Sequence, residues 1–578
     1  MHTCLYISEI ARMICSHLRQ MAQLHEMRTD DSSDFVQVRR TLAGLARTCR
    51  ALKEPALDAL WWDLDSLYPL LTCLPVEVQR WSDGSIVRDL FPVNELVLIG
   101  DQHLNRPLAL SDFTIFQGYA KRVRMLGYRQ RNRFMNADLL RLITSFPCTL
   151  GSAILPNLRL LSWPEDSEEI FPFIRFFLPP TLLRIDFPGD DWPLCKQTFI
   201  SFLHIHCPQL QEFACTEPPL PVLDCISNFI VKAENLVSIS CGIPNKKAMK
   251  HVMRSSLRCL TFDIPAHGQY DPPCGTFASV ETFNLRAQRL QQAAEFMQDI
   301  KLAPVSATIV LGDVAPGPFV WGFFDTLSKS LDNEKLEILR YSIEGILENP
   351  RANQYLYELE ANALEPLFSF KNLVIVHLEN FRMPYFDDAM AVRLADAWPH
   401  LEVLKLGTGQ DWQTDTLTLR RSLLTLYGVG YIAAHCKKIH TLGLVFDPTQ
   451  DCELLKAHWT NENIRVFDVG ASPIDNPVPI AATLMFLMPK VKEIWAKPPL
   501  KNLLSGIGMI TMPDRRAERW TLVLEMVTVF GSVRDDAMAE AKAEAKKDVL
   551  QDLAKEGYLK TVRIRRGQRV PPPEKKQV

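Results

Sequence analysis

NLRLLSW, running from Asn157 to Trp163, holds apolar residues at Leu158, Leu161 and Trp163, with Arg159 and Ser162 between them. The same apolar-x-x-apolar-x-apolar line returns as TLLRIDF (Leu182, Ile185, Phe187), QLQEFAC (Leu210, Phe213, Cys215) and NLVSISC (Leu236, Ile239, Cys241). SLRCLTF (Leu257, Leu260, Phe262) and SVETFNL (Val280, Phe283, Leu285) continue it. KLEILRY, NLVIVHL, HLEVLKL, KIHTLGL, NIRVFDV and KVKEIWA follow, starting at Lys335, Asn372, His400, Lys438, Asn463 and Lys490, and RVRMLGY (Val123, Leu126, Tyr128) is an earlier candidate. Most copies stand about 21 to 38 residues apart. Only the interval after Val280 is much longer, and ATIVLGD, at 307–313, is a place for a copy inside it.

The end of each line alternates apolar and polar residues, as a half-buried strand does. The segments between lines have helical spacing: in TFISFLHIHCPQL, Phe199, Phe202, Leu203 and Ile205 share a stripe that Cys207-Pro208 ends. One strand with one helix cannot bury its own apolar side, so such units stack, with strands aligned in a parallel sheet and leucines filling a continuous core. The expected fold is therefore α/β: a diverged leucine-rich-repeat solenoid over residues 76–534, parallel strands on one face and helices on the other. An ordinary doubly wound α/β domain also alternates strand and helix. Recurrence of one line about a dozen times, with no nucleotide fingerprint after any strand, favours the solenoid.

Residues 1–75 lack the line. Ile7, Ile10, Met13, Ile14, Leu18 and Met21 predict a first helix, HEMRTDDSSDFVQ a loop, and Leu42, Leu45, Cys49 and Leu52 a second helix. Glu54-Pro55 reads as the start of a third, with Leu57, Leu60, Trp61 and Leu64 as its apolar face. Three short helices make a marginal domain alone and carry more apolar surface than so small a bundle needs. Since a fully buried aliphatic side chain contributes about 1.5–3 kcal/mol, the surplus predicts a partner helix laid against it.

ISEIARMICSHL followed by LAGLARTCRALKEPALDALWWDLDSLYPLLTCLP resembles the F-box region of F-box proteins of mushroom-forming fungi, where an F-box precedes diverged leucine-rich repeats. SDFTIFQGYAKRVRML, Ser111 to Leu126, is similar to the segment that introduces the repeats in that group. The resemblance spans nearly the whole chain. It implies a small all-helical N-terminal F-box and a substrate-recognition subunit of a Skp-cullin-F-box ubiquitin ligase: the F-box docks the Skp adaptor, and through it a cullin, while the repeats hold a target protein. Ile7, Ile10, Ile14, Leu18, Leu45, Cys49, Leu60 and Trp61 are the adaptor-facing residues it implies, some of which must also build the domain's own core. The family often has proline where this chain has Ser8. That departure leaves an alternative, a leucine-rich-repeat binding or scaffold protein whose degenerate F-box has no ligase role.

The remaining chemistry is bland. A net charge of −3 argues against a chain built as a whole to coat nucleic acid or membrane. Fourteen cysteines without a CxxC pair, and Glu9, Arg12 and Arg19 where a signal peptide needs an apolar run, suggest reduced thiols in the cytoplasm or nucleus. WTLVLEMVTVF, Trp520 to Phe530, is too short to span a bilayer and contains Glu525. HIHC, His204 to Cys207, has the wrong helical spacing for one metal site, and GTGQ at Gly407 and GIGM at Gly506 read as turns. No nucleophile elbow, HExxH or cofactor fingerprint is present, so neither catalysis nor a cofactor is expected. Cys15, Cys49 and Cys225 read as buried structural thiols. Residues 535–578 read as a polar helix from Asp535, stopped at Gly557, and a basic, proline-rich mobile tail.

Overall fold

The computed structural model describes residues 7–26, 33–74, 79–80, 103–104, 109–127, 137–144, 153–216, 218–219, 222–266, 270, 272–313, 317–344, 358–379, 381, 383, 385–409, 422–450, 459–496 and 515–555. Tyr128, Gly506 and the tail beyond Lys555 therefore lie outside the described residues. The chain divides into two compact units, Met1–Tyr357 with Asn362–Leu373, and Glu358–Ala361 with Val374–Val578.

The first unit opens with three helices, α1 (Ser8–Glu26), α2 (Ser33–Thr48) and α3 (Arg50–Leu60). The expected loop is thus shorter than the polar run: α2 already starts at Ser33. α3 starts at Arg50, capped by Cys49 in an extended conformation, so Leu52 belongs to α3 and Pro55 lies inside it. Pro55 does not open the helix; it is one of the buried residues of the face Leu52, Pro55, Ala56 and Ala59. Trp61 caps the helix, and Leu64, read as helical, sits in the strand Asp63–Leu64.

That strand is the first of ten described strands of this unit that pair in parallel in one sheet. The next are Met125–Leu126, Leu160–Ser162, Arg184–Phe187, Glu212–Cys215 and Ser238–Gly242, followed by Cys259–Ile264, Thr282–Ala287, Ser306–Leu311 and Ile338–Ile343. Each pairs in parallel with the next, in chain order. Strand order in a doubly wound sheet reverses at a switch point. Unbroken chain order is the topology of stacked repeats. Every quoted line in this unit coincides with one of these strands, and Ser306–Leu311 fills the long interval after Val280.

The register explains the spacing. Leu161, Ile185, Phe213, Ile239, Leu260 and Phe283 align across consecutive strands, and every one is buried. Helices such as Leu194–His206, Leu223–Lys232, Lys246–Arg254 and Gly317–Ser330 alternate with the strands. In Leu194–His206 the buried stripe is Lys196, Ile200 and Leu203, whereas Phe202 and Ile205, assigned to the apolar face from their spacing, are exposed. Lys196 is fully buried: its ammonium donates to Asp166 Oδ1 (2.7 Å), Gly189 O (3.1 Å) and Asp191 O (2.9 Å), and lies 4.2 Å from the Trp192 ring centroid. His206 stacks on Phe199, with centroids 5.9 Å apart, while Cys207 is buried.

In the second unit the strands Ile375–Leu378, Val403–Leu406, Thr441–Leu444, Val466–Gly470 and Glu493–Ala496 again pair in parallel and in chain order. Val376, Leu404, Leu442 and Phe467 form its buried row. Gly407 turns the chain at φ 66°, where a Cβ would stand 2.9 Å from Phe381 O. The polar helix expected from Asp535 is the end of a longer one, Arg516–Lys555. Its first half buries Trp520, Val523 and Val527, and Trp520 Nε1 donates to Ser472 O at 3.1 Å. Among the described residues, no helix is long and apolar enough to cross a membrane.

Candidate functional site

The three N-terminal helices close on a small centre made of Cys15, Leu42, Ala56 and Ala59, with Leu18, Val38, Leu45, Ala46 and Leu60 packed partly against it. Alanines and a cysteine bring the helices together but leave little volume to shield longer side chains. On α1 the covered edge is Ala11, Cys15 and Leu18. At 3.6 residues per turn the adjoining arc carries Ile7, Ile10, Ile14, Met13 and Met21. Ile7 is 48% and Ile14 39% exposed; Met13 and Met21 are more exposed still, and Ile10 is half-buried. The apolar stripe of α1 is therefore wider than its own core.

The eight residues singled out from the sequence fall into three groups. Ile7, Ile10 and Ile14 form the open arc of α1. Leu18, Leu45 and Leu60 pack against the internal centre. Cys49, the N-cap of α3, is half-buried, and Trp61 faces inward along the chain, its ring stacked on Tyr119 with centroids 4.3 Å apart and planes at 23°. Of the thiols read as buried, Cys15 is buried, which pushes its pKa up, while Cys225 is half-buried and pushed up to about 11.

Sequence reading missed the attachment of this module to the first strands. Arg122 binds both Glu54 and Asp58 on α3. Burial opposes the Arg122 charge, yet the two carboxylates outweigh it and raise its pKa, while Arg122 holds Glu54 low. The Trp62 ring has the Arg19 guanidinium 4.3 Å from its centroid and that of Arg124 at 5.7 Å, linking α1 to the residue that precedes the strand Met125–Leu126. Glu54 and Asp58, four apart on one helical face, were the available signal for a cationic partner.

The start of α1 bears on Ser8. Ala11 N–H donates to Ile7 O at 3.1 Å, so Ile7 caps the helix and Ser8 is its first residue. Glu9 there is held below the usual carboxylate range by its backbone N–H, by the Ser8 side chain and by Arg12. Carboxylates are favoured at a helix start because unpaired N–H groups and the helix dipole face them.

What these elements define is an α/β repeat protein with a helical N-terminal module that leaves one apolar helix face open. No family model matches the chain, and no curated protein matches it. Among solved structures the chain is similar to one described as the crystal structure of the Rad7 and Elc1 complex in yeast, over 59% of this chain and 80% of that chain, with 14% identity and a TM-score of 0.31.

Proposed function

We propose that the chain is a non-catalytic substrate-recognition subunit of a Skp-cullin-F-box ubiquitin ligase, with the helical module as its F-box and the repeats as its target-holding surface. The carrying observation is the open arc of Ile7, Ile14, Met13 and Met21 on a module that is otherwise packed and fastened. Full burial of each such side chain contributes about 1.5–3 kcal/mol, enough in sum to hold a partner helix after the costs of association. Arg122, Trp61 and Trp62 fix the module to the first strands, which suits a receptor that must hold a target at a set distance from the ligase core. The partners on this reading are a Skp adaptor, a cullin reached through it, and a target protein, in the cytoplasm or nucleus.

Co-expression with a Skp adaptor followed by gel filtration tests the proposal. An equimolar complex is expected, and Ile7→Asp with Ile14→Asp should abolish it by placing unpaired charges in an apolar interface. Ile7 and Ile14 are the better probes because Leu18, also implied by the resemblance, supports the internal centre. A folded chain that forms no complex would instead be a repeat scaffold with a degenerate F-box.

A further inference from the structure

The first unit carries a cleft of about 360 Å³, lined by residues of the helices Leu223–Lys232 and Lys246–Arg254 and of the segment Tyr270–Cys274. Its floor is apolar: Ile243, Met249 and Pro273 are buried, and Leu223 and Met253 half-buried. Such a size and lining are typical of binding sites. Two glycines shape the walls. A Cβ on Gly242 would stand 3.4 Å from Leu223 Cδ2, and one on Gly275, at φ 140°, 3.0 Å from Met253 Sδ, so each glycine lets one lining side chain close in.

Hydrogen bonds fix the rim. Asn245 joins the two helices: its N–H donates to Ser227 Oγ (3.0 Å), its Nδ2 to Asp224 Oδ1 (2.9 Å), and its Oδ1 accepts from Ala248 N–H (3.1 Å). On the other side Tyr270 donates to Gln292 O at 2.9 Å, and Gly275 N–H to Asp299 O at 3.1 Å, where the strand Gly275–Phe277 pairs with Ile300–Leu302. The cleft is therefore formed before anything enters it.

Its charge is one-sided. Lys246 and Lys250, one turn apart on one helix face, line the cleft beside a single described carboxylate, Asp224. Exposed Lys247 and Arg254 on the same helix add to the positive charge, while Glu295, whose charge reaches Tyr270, is not part of the lining and accepts from Gln291 at 2.9 Å. Lys246 and Lys247 open a helix that has no acidic residue in its first turn. A helix start favours carboxylates and disfavours cations. These lysines thus work against their own helix, and a local rule broken in this way marks function rather than folding.

We infer that the cleft takes an acidic segment of the target protein: an apolar side chain fills the floor, and an Asp or Glu close to it in sequence meets Lys246 and Lys250. Two ammoniums against one carboxylate leave the described lining one positive charge in excess, which one carboxylate of the occupant cancels. A phosphate would bring a second negative charge to face Asp224. The inference rests on the ligase-receptor reading only for the identity of the segment as a target.

A random displayed-peptide library panned on the full chain tests it, with Cys274 as reporter: this residue lines the cleft and is the exposed one among the described thiols. Enriched peptides should carry an apolar residue close to an acidic one, and synthetic copies should slow alkylation of Cys274, read by mass spectrometry. Lys246→Glu with Lys250→Glu should cut their affinity at least about tenfold, the share of one charge-assisted hydrogen bond, and should select basic peptides when the library is panned on that variant. Its thermal stability should hold or rise, because a carboxylate replaces a cation in the first helical turn. Phosphoserine in place of the acidic residue should bind no tighter, and adaptor binding should be unchanged by the double substitution. No enrichment, enrichment without acidic residues, binding that leaves Cys274 unprotected, tighter binding of the phosphoserine peptide, or a variant that loses binding and stability together would each overturn the inference. If the peptides behave as expected while no Skp adaptor complex forms with the unmodified chain, the cleft stands and the ligase reading falls.

Discussion

The sheet and the N-terminal helices draw on the same apolar residues and dispose of them in opposite ways. Phe213 aligns with Ile185 on one neighbouring strand and Ile239 on the other, and its ring meets Phe187 and Phe229 at centroid distances of 6.2 and 4.8 Å. Every repeat inherits a wall from the units before and after it. The apolar stripe of α1 packs on α2 and α3, whose buried contribution to the common centre is Leu42 and two alanines, so the stripe runs on beyond what they cover. A stacked array closes its core by repetition, and a three-helix module of this size closes it only with help from outside.

The largest effect that could break the contrast is a truncation on each side. Phe213→Ala should lower stability by about 3–5 kcal/mol, as removal of a buried aromatic does, whereas Ile14→Ala should stay within about 0.5 kcal/mol, the range of exposed positions. Urea denaturation followed by circular dichroism measures both. Comparable losses in the two variants would mean that Ile14 already has an internal partner.

Lys196 sharpens the same contrast from the side of the sheet. Its ammonium has no access to solvent, and it is balanced by Asp166, whose carboxyl is pushed up by burial and held down by that same lysine. Lys196→Met removes the cation and leaves Asp166 buried beside the Asp191 carbonyl, which loses the lysine donor, while Gly189 O keeps the Thr216 hydroxyl at 2.7 Å. A loss of about 3–5 kcal/mol is expected, the usual result of breaking one side of a buried pair. Asp166→Asn in the Lys196→Met background should recover part of it, since the leftover charge is then gone. Failure to recover would place the cost in the Asp191 carbonyl and the lost packing of the lysine stem instead.

Much of the array could be read from one dimension, and the reason is local. Leu158, Leu161 and Trp163 are spaced by the strand's own geometry and buried by it, so a line of seven residues carries the whole signal. The failures sit where the deciding neighbour is remote. Leu64 has helical spacing behind Leu57 and Leu60, but its partner is Leu126, in the strand beside it. Arg122 reaches back to Glu54 and Asp58, and Lys405 leans toward Asp468 only because Gly443 lies between them in register. The open arc on α1 was legible as a stripe, yet its division into Leu18 within and Ile14 without depends on α2 and α3. Phe202 and Ile205 failed for the converse reason: the spacing was helical, and the buried side of that helix was set by Lys196, a residue no hydropathy pattern marks as core.

The smallest effect concerns Ser8, where the resemblance expects proline. Ser8 is the first residue of α1, a position whose backbone N–H has no carbonyl partner within the helix, and proline there loses no helical hydrogen bond and already holds a helical φ. Ser8→Pro removes the serine hydroxyl that helps hold Glu9 low, and removes freedom from the unfolded chain. The second effect is worth about 0.4–1 kcal/mol where the backbone already fits. A small rise in thermal stability is expected, with adaptor affinity changed by less than about threefold, under 1 kcal/mol. Calorimetric titration of the Skp adaptor into both forms decides the matter. If Ser8→Pro tightens binding tenfold or more, proline is a contact rather than a helix start, and Ser8 marks a module that has drifted from its partner; if it does not, the open arc of Ile7 and Ile14 carries the interface by itself.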